Sequence, residues 1–353
     1  MARAGGDRRS ARASAGGRAV AALELTYLSG ADIDRLELEA DDILTPVSDV
    51  LAAQGRGETV IEPRVHLFPG GDADGHFNVL RGSLPRAGVA GVKVVGDYVG
   101  NHLRGLPSEL ALLTLYDTET GAPTAILDAT AITAMRTGAV TAVGARHLAR
   151  PDSRVLAHIG SRGTAEWNVR LLCRVLPELD EIRIHSRTEA NRTALAAELA
   201  AELGLPVRAV GSWEECVRGA DVVVEATRLQ APEPLLRTEW IAPGALVVPY
   251  GTMSAVELSL TDVMDKVVVD DWGQAGAGPL GALRAHVDSG RLSAATLHAE
   301  LGQIVCGDRP GRETGTERIL LWHRGLSLTD IALGQAMLER ARELDLGTRL
   351  PYR

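Results

Sequence analysis

Apolar positions along the chain fall into two regimes. From Leu23 to about Ala149, short apolar runs alternate with turn signals: Val92–Val95, then Leu110–Tyr116 ahead of Asp117-Thr118-Glu119-Thr120-Gly121, then Ala125–Leu127. That mixture predicts an α+β domain. From Asp128 onward, Ala131, Ile132, Met135, Ala139, Val143 and Leu148 recur at helical spacing, and the helix must stop at Arg150-Pro151 because proline cannot continue it. The first domain boundary falls there, giving a domain over residues 23–150.

Beyond Pro151 the pattern changes to strands alternating with helices. Val155–Ile159, Glu181–His185, Val207–Val210, Val222–Ala226, Leu246–Pro249 and Val267–Val269 are short apolar strands, with helices through Trp167 and Leu176 and through Leu195 and Leu203. Apolar strands separated by helices imply a parallel sheet covered on both faces, so the expected fold is α/β, with a doubly wound Rossmann domain over residues 151–307. Leu328–Leu344 is one more helix, predicted to return to the first domain and complete it with residues 308–353.

Composition narrows the partners. A length of 353 residues, 45% of them hydrophobic, suffices for two separate cores. A net charge of -9, with no basic stripe carrying interleaved aromatics, disfavours nucleic acid. No apolar stretch is long and charge-free enough to span a bilayer. Cys173, Cys216 and Cys306 have no ligand spacing, which argues against a metal site and suits a reducing, cytoplasmic setting. Residues 1–22 contain Arg8-Arg9-Ser10-Ala11-Arg12 without the apolar stretch that a twin-arginine signal needs, and read as a disordered tail or an early start codon.

Candidate chemistry begins at Gly160-Ser161-Arg162-Gly163-Thr164-Ala165, between the first strand and first helix of the second domain. A glycine turn there lets backbone N–H groups and a helix N-terminus approach a pyrophosphate, the physical content of a dinucleotide fingerprint. Arg162 stands where glycine is wanted, so its side chain must point out of the turn or onto a phosphate; a purely structural turn is the alternative. The second strand ends in Ser186-Arg187-Thr188, a hydroxyl and a planar cation where an acidic residue would bind the ribose of NAD. NADP(H) is therefore the expected cofactor and NAD(H) the second choice. Arg187 as a solvated charge beside Glu189 is the bland reading.

Gly91-Val92-Lys93-Val94-Val95, Gly100-Asn101, Gly105-Leu106-Pro107-Ser108, Asp117 with Thr120-Gly121, and Arg136-Thr137-Gly138-Ala139 resemble, in order and spacing, the signature region of the ornithine cyclodeaminase/mu-crystallin family. The resemblance runs from about Leu25 to the end. It implies a substrate domain that pairs with a second subunit through its sheet, making a homodimer, and an active site in the cleft facing the nicotinamide. It implies that Arg64, Lys93 and Arg136 hold a substrate α-carboxylate, that Ser108 helps position substrate or cofactor, and that the cofactor passes Thr227. Three converging cations would repel one another unless an anion joined them, although each alone could be an ordinary ion pair.

Two segments depart from the family pattern. Family members that release ammonia carry an aspartate in the loop after the fifth strand, whereas Pro249-Tyr250-Gly251-Thr252-Met253-Ser254 has no carboxylate. In Trp322-His323-Arg324-Gly325-Leu326-Ser327, His323 replaces a small residue, either as a proton carrier or packed on Trp322 with a satisfied ring nitrogen. The expected activity is NAD(P)H-dependent reduction of the C=N bond of an imino acid, or its reverse on an amino acid. Lys93 is the first candidate proton donor, its pKa depressed by two neighbouring arginines, and His323 the second. A redox-neutral ammonia lyase with bound NAD and a non-catalytic NADPH-binding protein are the rivals.

Overall fold

The computed structural model describes residues 22–71 and 75–353; the expected N-terminal tail lies outside the described residues apart from Ala22. Fifteen strands among these residues build two sheets. The first sheet takes β1 (Glu24–Leu28), β2 (Val60–Leu67), β3 (Gly75–Leu84), β4 (Val89–Tyr98), β5 (Glu109–Asp117), β6 (Pro123–Asp128) and β15 (Thr348–Pro351), in the order β15-β1-β6-β5-β4-β3-β2. It is antiparallel except where β1 joins β6.

The second sheet is parallel throughout. It holds β7 (Val155–Ile159), β8 (Glu181–His185), β9 (Val207–Ala209), β10 (Val222–Glu225), β11 (Leu246–Pro249), β12 (Lys266–Val269), β13 (Ala299–Glu300) and β14 (Ile319–Trp322), ordered β13-β12-β14-β11-β10-β7-β8-β9. From β7 the chain winds outward through β8 and β9, then returns to build β10 on the other side. That reversal opens a crevice between the carboxyl ends of β7 and β10, the usual ligand position in such sheets. The parallel sheet does not end near Gly307 as expected: β14 inserts between β11 and β12, and its register with Lys266–Val269 places Ile319–Trp322 in the sheet's interior.

Five longer helices cover these sheets: α1 (Ala40–Gly55), α2 (Thr130–Leu148), α3 (Ala165–Val175), α4 (Glu189–Leu203) and α5 (Ser327–Glu343). α2 is buried around nearly its whole circumference, from Ile132 to Leu148. Its apolar residues share one cluster with Leu113 and Leu127 of the first sheet, with Val224, Val248 and Leu321 of the second, and with Leu328 and Leu333 of α5. The strands alternate accordingly. Val222 and Val224 face this cluster, while Val223 faces a second one with Val247, Leu320 and Trp322.

Candidate functional site

β4 places every second side chain, Gly91, Lys93, Val95 and Asp97, on the face that packs against the helices. Lys93 is buried there, opposite Leu80 of β3 and Leu113 of β5. Its ammonium donates to Thr133 Oγ1 at 2.6 Å and to Asp330 Oδ1 at 2.7 Å. Thr133 and Arg136 stand one turn apart on α2, so both reach the same point, and Arg136 Nε donates to Asp330 Oδ1 at 3.0 Å. Among the described residues, the buried Asp330 Oδ2 has no partner and no acceptor meets the terminal nitrogens of Arg136.

Burial pushes the Asp330 carboxyl up, but the Arg136 and Lys93 cations outweigh it and hold the group below the usual carboxylate range. Lys93 is brought down to about 8. Burial is the main cause, Asp330 opposes it, and Arg136 lowers it further. The expectation that two arginines alone would do this is corrected: removing an ammonium from water is the larger effect.

Arg64, on β2, faces the turn that follows β14. Its Nη2 donates to the carbonyls of Arg324 at 2.5 Å and Gly325 at 2.7 Å, while Nε has no partner among the described residues. Burial, then Arg324 and Arg136, bring its guanidinium down to about 9. The turn is fixed from beneath by the buried Asp270, just past β12, whose Oδ2 accepts from the backbone N–H groups of Arg324 and Gly325, both at 2.8 Å. Gly325 has φ +83°, and a Cβ there would stand 2.1 Å from Arg136 Nη1. Only glycine lets the guanidinium lie on this turn.

Arg64, Lys93 and Arg136 are therefore gathered at the carboxyl ends of the parallel strands. Sequence reasoning gave them all their counter-charge from a ligand, yet Asp330 supplies part of it. The available signal was an acidic residue in the first turn of an otherwise apolar helix, Leu328-Thr329-Asp330-Ile331. Ser108 is half-buried before β5, its carbonyl accepting from Tyr98 N at 2.8 Å. No polar contact among the described residues joins it to the cluster. Nearby, Arg228 crosses from the segment after β10 to Asp97 on β4 and to Glu109 on β5, the latter at 2.7 Å.

At the crevice, Gly160 has φ +116°, and a Cβ on it would stand 3.0 Å from Ala226 O. Ser161 Oγ donates to Ser186 Oγ at 2.7 Å, which donates to Thr188 O at 3.1 Å, so the glycine turn is tied to the tip of β8. Arg162 points out of the turn toward α4: with the Asn191 amide oriented to suit, its Nε and Nη2 donate to Asn191 Oδ1 at 2.9 and 2.8 Å. Gly163, at φ +59°, leads into Thr164 and Ala165 at the start of α3. Arg187 is exposed and has neither ion pair nor hydrogen bond among the described residues.

His323 is buried, its Nε2 is 2.9 Å from Thr141 Oγ1, and burial with Arg136 brings it down to about 3, an environment that disfavours the charged ring and weighs against its use as a proton carrier. The packing partner is Tyr250, stacked at 4.9 Å between centroids, rather than Trp322. Tyr250 in turn hydrogen-bonds Thr164 Oγ1 at 2.6 Å and Asn168 Nδ2 at 2.9 Å. Thr227 turns its hydroxyl back onto Glu225, which also accepts from the Thr227 N–H at 2.7 Å. Glu225 and Tyr250 were not singled out from sequence; a carboxylate ending an all-valine strand was the available signal.

Known proteins share this arrangement of sheets. The chain is 28% identical over 334 residues to an alanine dehydrogenase of Archaeoglobus fulgidus, spanning 94% of this chain and 99% of the relative. It superposes with a TM-score of 0.86 and 27% identity on the Δ1-pyrroline-2-carboxylate reductase of Thermococcus litoralis in complex with NADH and L-proline, covering 92% of this chain and 99% of that one. An archaeal alanine dehydrogenase dimer with bound NAD gives a TM-score of 0.86 at 26% identity, covering 94% and 100%. The model of the ornithine cyclodeaminase/mu-crystallin family matches residues 27–345, and the chain belongs to that family.

Proposed function

We propose that the protein is a nicotinamide-dependent oxidoreductase acting on the C–N bond of an amino acid or its imine. The observation that carries this is the buried Lys93-Asp330-Arg136 cluster, with free guanidinium nitrogens and a lysine poised near neutrality at the edge of a nucleotide crevice. The crevice suits a dinucleotide: Gly160 offers no Cβ to a pyrophosphate, and α3 directs its first N–H groups there. The cofactor supplies or accepts the hydride.

The protein's own groups do the rest. Arg136 and Arg64 hold the substrate carboxylate, presenting the α-carbon in a fixed orientation. Lys93, as its ammonium, gives a proton to the imine nitrogen as the C=N π bond opens, and in the reverse direction the neutral amine takes it back. Asp330 keeps the ammonium populated. Thr252 and Met253 offer no anion at the loop after β11, which weighs against release of ammonia.

Arg187, unpaired beside Ser186, supports a preference for NADPH, with a 2′-phosphate as its missing partner. Absorbance of the reduced cofactor with cyclic imino acids and with keto-acid/amine pairs tests the reading. NADPH should be consumed in preference to NADH, and Arg187→Ala should weaken NADPH by about 10- to 100-fold and leave NADH unaffected. Ammonia released from a diamino acid with no net cofactor change would instead make it a lyase; ligand binding without turnover would make it a binding protein.

The outer face of the first sheet supports a homodimer. Val94 (39% exposed), Leu110 (43%) and Leu112 (51%) are adjacent there, Val94 lying opposite Leu112. Light scattering should give twice the chain mass, and Leu112→Arg should shift it to the monomer. The three free cysteines fit a reducing, cytoplasmic setting. No helix among the described residues is long and apolar enough to cross a membrane.

A further inference from the structure

The glycine turn tolerates a side chain at Arg162 for a backbone reason. Gly160 and Gly163 are left-handed, at φ +116° and +59°, whereas Arg162 between them is not, so a Cβ there causes no strain. Arg162 and Arg187 leave one junction: each follows a serine, and those serines are bonded, Ser161 Oγ to Ser186 Oγ at 2.7 Å. A third guanidinium reaches the tip of β8 from α4. Arg192 Nη1 donates to Ser186 O at 2.9 Å, and its buried Nε has no partner among the described residues.

Few anions oppose these cations. Glu189 stands 3.7 Å from Arg192 with its side chain mostly in solvent, and Glu166 and Glu198 act on Arg170, the former at 2.5 Å. Neither Arg162 nor Arg187 has an ion pair among the described residues. Arg162 is nonetheless held in place. Its Nε and Nη2 share Asn191 Oδ1, which occupies one edge of the planar fork, while Nη1 meets no acceptor among the described residues. A neutral amide fixes the direction of a guanidinium without cancelling its charge. Beside it lies a cavity of about 290 Å³ lined by Ser161, Arg162, Gly163, Asn191, Leu195 and Glu198.

A phosphate monoester can accept from two guanidinium groups at once, and the tip of the second strand is where the ribose of a dinucleotide lies. We propose that Arg162, aimed by Asn191, grips the 2′-phosphate of a phosphorylated dinucleotide together with Arg187; this rests on the nucleotide site proposed above. The side chain that breaks the glycine pattern then selects the cofactor, and the pyrophosphate is left to the backbone N–H groups at the start of α3.

Calorimetric titration with 2′-phospho-ADP-ribose and with ADP-ribose tests this without turnover, on wild type, Arg162→Gly, Asn191→Ala and the double variant. Arg162 is exposed, so the fold should survive its removal, with an unchanged melting temperature as the check. Arg162→Gly should weaken 2′-phospho-ADP-ribose by about 10- to 100-fold and leave ADP-ribose at its wild-type affinity. Asn191→Ala should weaken the phosphorylated probe while Arg162 is present and add nothing in the double variant, a coupling that a merely structural amide would not show.

Equal weakening of both probes by Arg162→Gly would put the guanidinium on the pyrophosphate, and no change in either would make it a solvated charge. Both results overturn the assignment. An equal loss from Asn191→Ala with and without Arg162 would detach the amide from the guanidinium. If wild type holds the two probes alike, the 2′-phosphate subsite falls and the nucleotide site stands; if neither probe binds, the nucleotide site falls as well.

Discussion

Lys93→Met is expected to lower kcat for imine reduction by about 10²- to 10⁴-fold, the usual contribution of a positioned acid, while NADPH affinity stays at the wild-type value. Methionine fills the buried volume and leaves Asp330 paired with Arg136 at 3.0 Å, so the fold should survive. Lys93→Arg should not rescue activity, because a guanidinium does not release its proton near neutrality. In wild type, reduction uses the ammonium: kcat/KM should be level below about 8 and fall above it, whereas oxidation of the amino acid should rise through the same range. Stopped-flow hydride transfer with a separate titration of cofactor checks this. A variant that loses cofactor binding in proportion to kcat would remove Lys93 from the chemistry.

Asp330→Asn should have the larger effect on stability. It leaves Lys93 and Arg136 buried without their shared anion, a change that costs about 3–5 kcal/mol at comparable sites. Urea denaturation should record that loss. The substrate carboxylate would then be the one anion left to the pair, so a saturating substrate or product should raise the melting temperature of the variant more than that of wild type. Equal shifts in the two proteins would mean that the carboxylate binds elsewhere.

Much of this framework is written in the sequence, and the reason lies in burial. Val155–Ile159 and Leu246–Pro249 are covered on both faces, so they read as short runs that are apolar but for His158, while Glu181–His185 alternates because Glu181 and Arg183 are half-buried, and all three strands have those limits. The helix from Thr130 to Leu148 shows its period until Pro151 ends it. β2, at the sheet edge, and β3 beside it gave no such signal, because these half-exposed strands carry neither a sustained alternation nor an apolar run. α1 was hidden by Pro46. Ile319–Trp322 was missed for a different reason: nothing local tells an apolar tetrapeptide that its partners lie about fifty and seventy residues upstream.

The site was legible to the same degree. Arg64, Lys93 and Arg136 are brought together, yet their shared carboxylate on α5 and the glycine on which Arg136 rests depend on packing between layers. His323 illustrates the limit. Its residue type suggested proton transfer, and only packing reveals the burial beside Tyr250 and Arg136 that disfavours a charged ring.

Arg136 sits on the helix whose flanks are packed by both sheets. On the reading proposed above, the carboxylate clamp is thus mounted on a beam that both halves of the molecule grip. Its reach to the cofactor would be set when the chain folds, like the jaw of a gauge cut to a single size, and substrates would be sorted by whether their α-carbon falls within that gap.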